Sequence, residues 1–181
     1  DTFYFYTGPA QIDAQKRRNI AAADDDYIYE YKEDLGGYEV RCIDKTKAEY
    51  GAIKTGINGI DTVKLADCMF ADKANLTGNI NMTVAPEIPD TVISIGDYAF
   101  LNCTSLASIE VPDSVTTIGV YAFATCAGLT GDLIIPNSVT TLGNSAFLNC
   151  SGFTGDLIIS DGVTSIGKYT FSDCSGFTGE I

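Results

Sequence analysis

One phrase occurs four times at almost even spacing, and it constrains this chain more than any other feature. IGDYAF (95–100), IGVYAF (118–123), LGNSAF (142–147) and IGKYTF (166–171) place their phenylalanines 23, 24 and 24 residues apart. A steady period in the low twenties is the signature of a solenoid, in which each unit buries its apolar side against its neighbours. Such a fold presents an extended surface rather than a deep pocket.

Identical positions of successive coils stack, so the repeat predicts its own core. Phe100, Phe123, Phe147 and Phe171 form one internal column. Cys103, Cys126, Cys150 and Cys174, each three residues later, form a second. Leu106, Leu129, Phe153 and Phe177 follow three residues further on. Val92, Val115, Val139 and Val163, with Ile95, Ile118, Leu142 and Ile166, also point inward. Between coils lie IPDTV (88–92), VPDSV (111–115), IPNSV (135–139) and ISDGV (159–163). Each is read as a strand end and turn, in which proline or a small polar residue redirects the chain.

DLII occurs at 132–135 and again at 156–159, with strand alternation. Leu133, Ile135, Leu157 and Ile159 face the core. Ile134 and Ile158 face solvent, beside Glu110 and Asn81 of the preceding coils. A neighbouring outward stripe carries Asn79, Ser108, Asp132 and Asp156. These eight positions are the candidate ligand surface. The two exposed isoleucines fit either a contact surface or plain β-propensity under a loop.

Earlier units are degenerate. The stretch 61–70 resembles 90–100 with one residue missing, 76–80 matches 129–133, and about six extra residues fall within 83–87. Residues 1–55 do not repeat. Residues 1–6 are an aromatic strand candidate and 14–23 carry moderate helix propensity. Tyrosine-rich runs at 27–31 and 38–42 flank Leu35, Gly36 and Gly37, which predicts a hairpin. The expected division is a cap over 1–55, of α+β or β type, and about five coils over 56–181, the last one cut short. The tyrosines suit a cap, and they also suit a ligand-contacting surface. More repeats are expected after Ile181, and weak end-to-end self-association through the exposed last coil is expected with them.

Ile135-Pro136, Ser138-Val139-Thr140, Leu142-Gly143, Ala146-Phe147 and Asn149-Cys150 together resemble a leucine-rich repeat class of bacterial surface antigens, the BspA-like or Treponema-type repeats. The resemblance is close over 90–181 and looser over 57–87. It implies a leucine-rich-repeat solenoid of short parallel strands joined by loops or short helices, displayed or secreted by a host-associated bacterium. It also implies adhesion, to matrix proteins or other microbes. Its motif residues are structural and bring no binding residues with them.

The remaining composition narrows the chemistry. The chain has 24 acidic and 11 basic residues, a net charge of −13, and after Lys73 its only basic residue is Lys168. Phosphate contacts need lysine and arginine, so no nucleic-acid partner is expected. No loop has the dense oxygen spacing of a calcium site. Histidine is absent, which removes the usual general base and metal ligand. No pair of carboxylates stands out as a glycosidase pair, so no enzyme activity, catalytic residue, metal or cofactor is assigned. The repeat cysteines are read as buried free thiols acting as small apolar groups; Cys42 with Cys68 is the only pairing worth checking. The sequons at Asn75, Asn81, Asn102 and Asn149 are incidental, two of them by-products of the repeat, and Asp24, Asp25 and Asp26 form a solvated loop. No apolar run is long enough to span a membrane. The expected function is an extracellular or cell-surface binding module for a protein or glycan. The alternative is a structural spacer without its own ligand.

Overall fold

The computed structural model describes residues 22–23, 27–42, 53–57, 60–67, 69–70 and 87–179. The described residues hold β1 (Ala22–Ala23), β2 (Tyr27–Lys32), β3 (Gly37–Cys42), β4 (Gly56–Ile57), β5 (Ile60–Leu65), β6 (Ser94–Ile95), β7 (Thr117–Ile118), β8 (Leu133–Ile135), β9 (Thr141–Leu142), β10 (Leu157–Ile159) and β11 (Ser165–Ile166). No helix occurs among them, so the Ala-Phe segments are turns where short helices were one of the expected connections. Ala22 and Ala23, within a stretch of helix propensity, pair antiparallel with β2 instead. Pairing to a ready strand outweighs a modest local preference.

The repeat winds as a stack of coils tied by a parallel ladder. Sheet order is β1-β2-β3-β5-β6-β7-β9-β11, with β4 paired beside β5. Ser94, Thr117, Thr141 and Ser165 stand opposite one another, as do Ile95, Ile118, Leu142 and Ile166. β6, β7, β9 and β11 are each only two residues long, because turns enclose them on both sides. Leu65 aligns with Ile95, which places the degenerate stretch 61–70 in the same stack. Upstream, β2 and β3 form the expected hairpin, closed through Gly36, and β3 leans in parallel on β5.

Stacking gives the core its columns. Successive rings of Phe70, Phe100, Phe123 and Phe147 lie 5.0, 5.0 and 5.1 Å apart, and Phe171 follows at 5.7 Å. Phe153 and Phe177 stack at 5.0 Å in a second column. Valines 92, 115 and 139 are buried, as are Ile95, Ile118 and Leu142. Ile166 departs from the inward expectation: it is 52% exposed because no described coil covers its far side. The Ile-Gly glycines let coils approach this closely. A Cβ on Gly143 would stand 2.5 Å from the Gly119 carbonyl carbon beneath it.

The thiols are integrated into the same stack. Cys126, Cys150 and Cys174 donate to the carbonyls of Phe100, Phe123 and Phe147, one coil earlier, at 3.1, 3.0 and 3.0 Å. All four repeat cysteines are free, and Cys103, Cys126 and Cys150 are buried. Cys68 lies outside the described residues, and the Cys42–Cys68 pairing with it.

Candidate functional surface

Strand β8 pairs in parallel with β10, placing Ile134 opposite Ile158. This two-stranded sheet is separate from the long ladder. Alternation turns Leu133, Ile135 and Leu157 into the core and leaves Ile134 56% and Ile158 44% exposed. Ile159, expected in the core, is half-buried. The corresponding segment of the preceding coil, 109–111, forms no strand. That coil is one residue shorter between its leucine and its proline. The extra residue of the longer coil falls at Gly131, whose φ of +80° suits a residue without Cβ.

Ser108, Glu110, Asp132 and Asp156 are all exposed on this side, as the sequence reading expects. Asn79 and Asn81 lie outside the described residues. Of the eight candidate positions, Ile134 and Ile158 pair across β8 and β10 and Asp132 adjoins Asp156 just before them, while Ser108 and Glu110 are exposed in the preceding coil, which forms no strand there. Asp132 also has an internal task, since its Oδ1 accepts the Asp156 backbone N–H at 2.8 Å.

That bond belongs to a pattern sequence reasoning missed. Asp67 Oδ1 accepts the Asp97 N–H, Asp97 Oδ1 accepts the Val120 N–H, and Asn144 Oδ1 accepts the Lys168 N–H. Asp97 and Asn144, each directly after a repeat glycine, and Asp67, after Ala66, thus satisfy the next coil's backbone. Thr116, Thr140 and Thr164 do the reverse, each donating to a carbonyl of the coil before. The signal was the recurrence of Asp, Asn and Thr at fixed places. These outward polar groups hold coils together, so exposure alone does not mark them as ligand contacts.

The charge of the repeats is unbalanced. Residues 87–179 carry nine acidic side chains and a single lysine, Lys168. Near the start of the stack the opposite holds: Lys32 bridges Glu30 and Glu39, and Lys64 bridges Glu39 and Asp67. No ion pair forms at Glu110, Asp132 or Asp156 among the described residues. A second apolar patch lies elsewhere on the surface, where Tyr98 and Tyr121 stack at 5.5 Å over Leu101 and Ala124. Among the described residues no group of three or more His, Cys, Asp or Glu could hold a metal ion, and no helix is long and apolar enough to cross a membrane.

A stack of short coils with a structural column of Phe and Cys and a mostly solvated outer face defines a leucine-rich-repeat solenoid. The chain belongs to the BspA type leucine rich repeat family, whose model matches residues 77–179 in six copies. Among solved structures it is similar to a leucine rich repeat protein of T. pallidum, at 26% identity and a TM-score of 0.71, over 87% of this chain and 69% of that one. It is also similar to a leucine-rich repeat protein from Bacteroides ovatus, at 28% identity and a TM-score of 0.63, over 81% of this chain and 37% of that one. A leucine rich cell surface protein of Faecalibacterium prausnitzii shares the fold at 24% identity and a TM-score of 0.68, over 88% of this chain and 40% of that one. The chain thus spans well under half the length of the last two. No curated protein matches it.

Proposed function

We propose that this chain is a non-enzymatic binding module of a bacterial surface or secreted protein, and that it adheres to a host protein, a glycan or another microbe. Membership of the BspA type family and the likeness to a leucine rich cell surface protein support the location and the class of function. One observation carries the choice of face. Ile134 and Ile158 stand side by side and exposed on β8 and β10, where a solvated sheet would carry polar residues. An apolar centre within a polar rim is the usual anatomy of a recognition surface. Residues 1–55 are read as the cap of the stack over 56–181, since the β2–β3 hairpin supplies the strand on which β5 leans.

The structural spacer is the second reading, and the internal bonding of Asp97, Asn144, Thr116 and Thr140 favours it for those columns. It assigns the exposed Ile134 and Ile158 to β-propensity alone. The test is quantitative binding to a panel of matrix proteins, mucins and glycans, repeated with Ile134→Glu and Ile158→Glu combined. Saturable binding lost in a variant that folds like the parent supports the β8–β10 face. Binding retained in the variant moves the site elsewhere, and no binding across the panel leaves the spacer.

A further inference from the structure

We infer that the partner of the β8–β10 face is a cationic polypeptide segment in extended conformation. The inference rests on the reading of that face as a binding surface, and adds the chemistry of what it takes.

Three observations carry it. First, the outward grid has two kinds of column. Ile134 and Ile158 form an apolar pair, and Asp132 and Asp156, directly before β8 and β10, form an acidic pair joined through the Asp156 N–H. Outward neighbours lie about 4.8 Å apart across strands and about 7 Å apart along one. Glu110, exposed in the preceding coil, adds a third carboxylate. A chain laid over this grid meets its needs with basic and apolar side chains on one face.

Second, the acidic pair has no cationic partner among the described residues. Like charges at adjacent strand positions repel, yet Glu110, Asp132 and Asp156 form no ion pair among the described residues, whereas Glu39 is bridged by two lysines. An incoming cation relieves that repulsion and displaces no ion pair, and Asp132 meets it while its Oδ1 accepts the Asp156 N–H. Third, attraction extends beyond the grid, because residues 87–179 offer nine carboxylates against one lysine. Such a field repels anionic polymers and speeds the encounter with basic ones. An acidic surface alone would attract any cation. The paired isoleucines add the requirement for apolar side chains in register with the charges.

The probe is a synthetic peptide of four Lys-Ser-Val-Ser repeats, which sets lysine and valine on the same face of an extended chain. A Lys-Val-Ser-Ser peptide has the same composition but sets them on opposite faces, and Glu-Ser-Val-Ser reverses the charge. Calorimetric titration of the folded chain should give saturable binding for the first peptide and at least severalfold weaker binding for the second. Combined Asp132→Asn and Asp156→Asn should weaken the first peptide about fivefold and flatten its salt dependence, as loss of two exposed charge pairs predicts. Asparagine at 132 keeps the acceptor for the Asp156 N–H, just as Asn144 serves Lys168, so the coil stays intact. Combined Ile134→Thr and Ile158→Thr should weaken binding as well.

Equal binding of the two lysine peptides, or an equal loss on Asp113→Asn with Asp161→Asn, would reduce the effect to net charge and overturn the inference. Failure of every peptide, with a glycan from the panel still bound through Ile134 and Ile158, would overturn the cationic partner and spare the binding face. Failure of every peptide and every panel member would overturn both.

Discussion

Alanine at Gly143 tests whether close backbone approach holds the coils in register. Its Cβ would meet the Gly119 carbonyl carbon and the Val120 nitrogen at 2.5 Å, and both are backbone atoms that cannot rotate aside. Carbon contacts settle at about 3.5–4.0 Å, so the two coils must part locally by about 1 Å. The Gly143 N–H reaches Ile118 O at 2.8 Å on the same seam, and that separation would carry it past hydrogen-bonding range. Overpacking costs about 1–3 kcal/mol and the lost bond about 1 kcal/mol. Reduced freedom of the unfolded chain returns about 0.4–1 kcal/mol. A net loss of about 1–3.5 kcal/mol, centred near 2, follows from these magnitudes. Gly131→Ala is the matched control. Its Cβ meets nothing within 4 Å, but its φ is +80°, so only the left-handed penalty of about 1–2 kcal/mol applies, less the same return. Urea unfolding followed by circular dichroism should rank Gly143→Ala as the more destabilising by about 1–2 kcal/mol. Equal costs, or the reverse order, would refute the seam argument.

Three further outcomes follow from the stack. Val120 presents no acceptor to the Asn144 N–H at the place where Asp97 and Asn144 serve their own next coils; Val120→Asn should supply that rung and add about 0.5–1.5 kcal/mol in urea unfolding. Thr125 occupies a left-handed conformation at φ +61°, where the other coils have Asn102, Asn149 and Asp173; Thr125→Asn should raise the melting temperature by about 2–4 °C, for a gain near 1 kcal/mol. Burial, and then the Cys103 thiol, push the Cys126 thiol well above its ordinary value of 9.0. Cys150 is also pushed up, by the Cys174 thiol and by burial. At Cys126 and Cys150 the folded chain therefore holds protons that the unfolded chain releases, so their stability is complete below about pH 9 and declines above it, by about 1.4 kcal/mol per pH unit for Cys126, while the same contact lowers Cys174 and offsets part of the Cys150 share. Urea midpoints from pH 8 to 11 should fall less steeply in Cys126→Ser with Cys150→Ser than in the parent; parallel curves would contradict the assignment.

The core was legible in the sequence because it depends on identity repeated at fixed spacing. Phe100, Phe123 and Phe147 stack as their period requires, and Cys103, Cys126 and Cys150 are buried beside them. The alternation in DLII likewise placed Leu133 inside and Ile134 outside. The long ladder was harder to see. Its strands are pairs such as Thr117–Ile118, too short to show any alternation, and they exist only because a neighbouring coil offers the same two residues. Backbone conformation was also hidden in plain residue types. Asn102, Asn149 and Asp173 recur before cysteine because that position has φ near +60°, which Asn and Asp tolerate better than most residues. Tyr98, Tyr121 and Tyr169 adopt the same region without any such preference, so only the structure reveals it. On the candidate surface, the exposure of Ile134, Ile158, Asp132 and Asp156 could be read from the strand period. The bond from Asp156 N–H to Asp132 could not, because it joins residues 24 apart across a seam.

The most direct test of a binding face on β8 and β10 is methyl NMR of isoleucine-labelled protein, titrated with whichever panel ligand binds saturably. The account predicts that the Ile134 and Ile158 signals shift first and saturate together, while buried Ile95 and Ile118 stay in place. Saturation that leaves Ile134 and Ile158 unmoved, with shifts at exposed Ile93 or Ile166 instead, would contradict it.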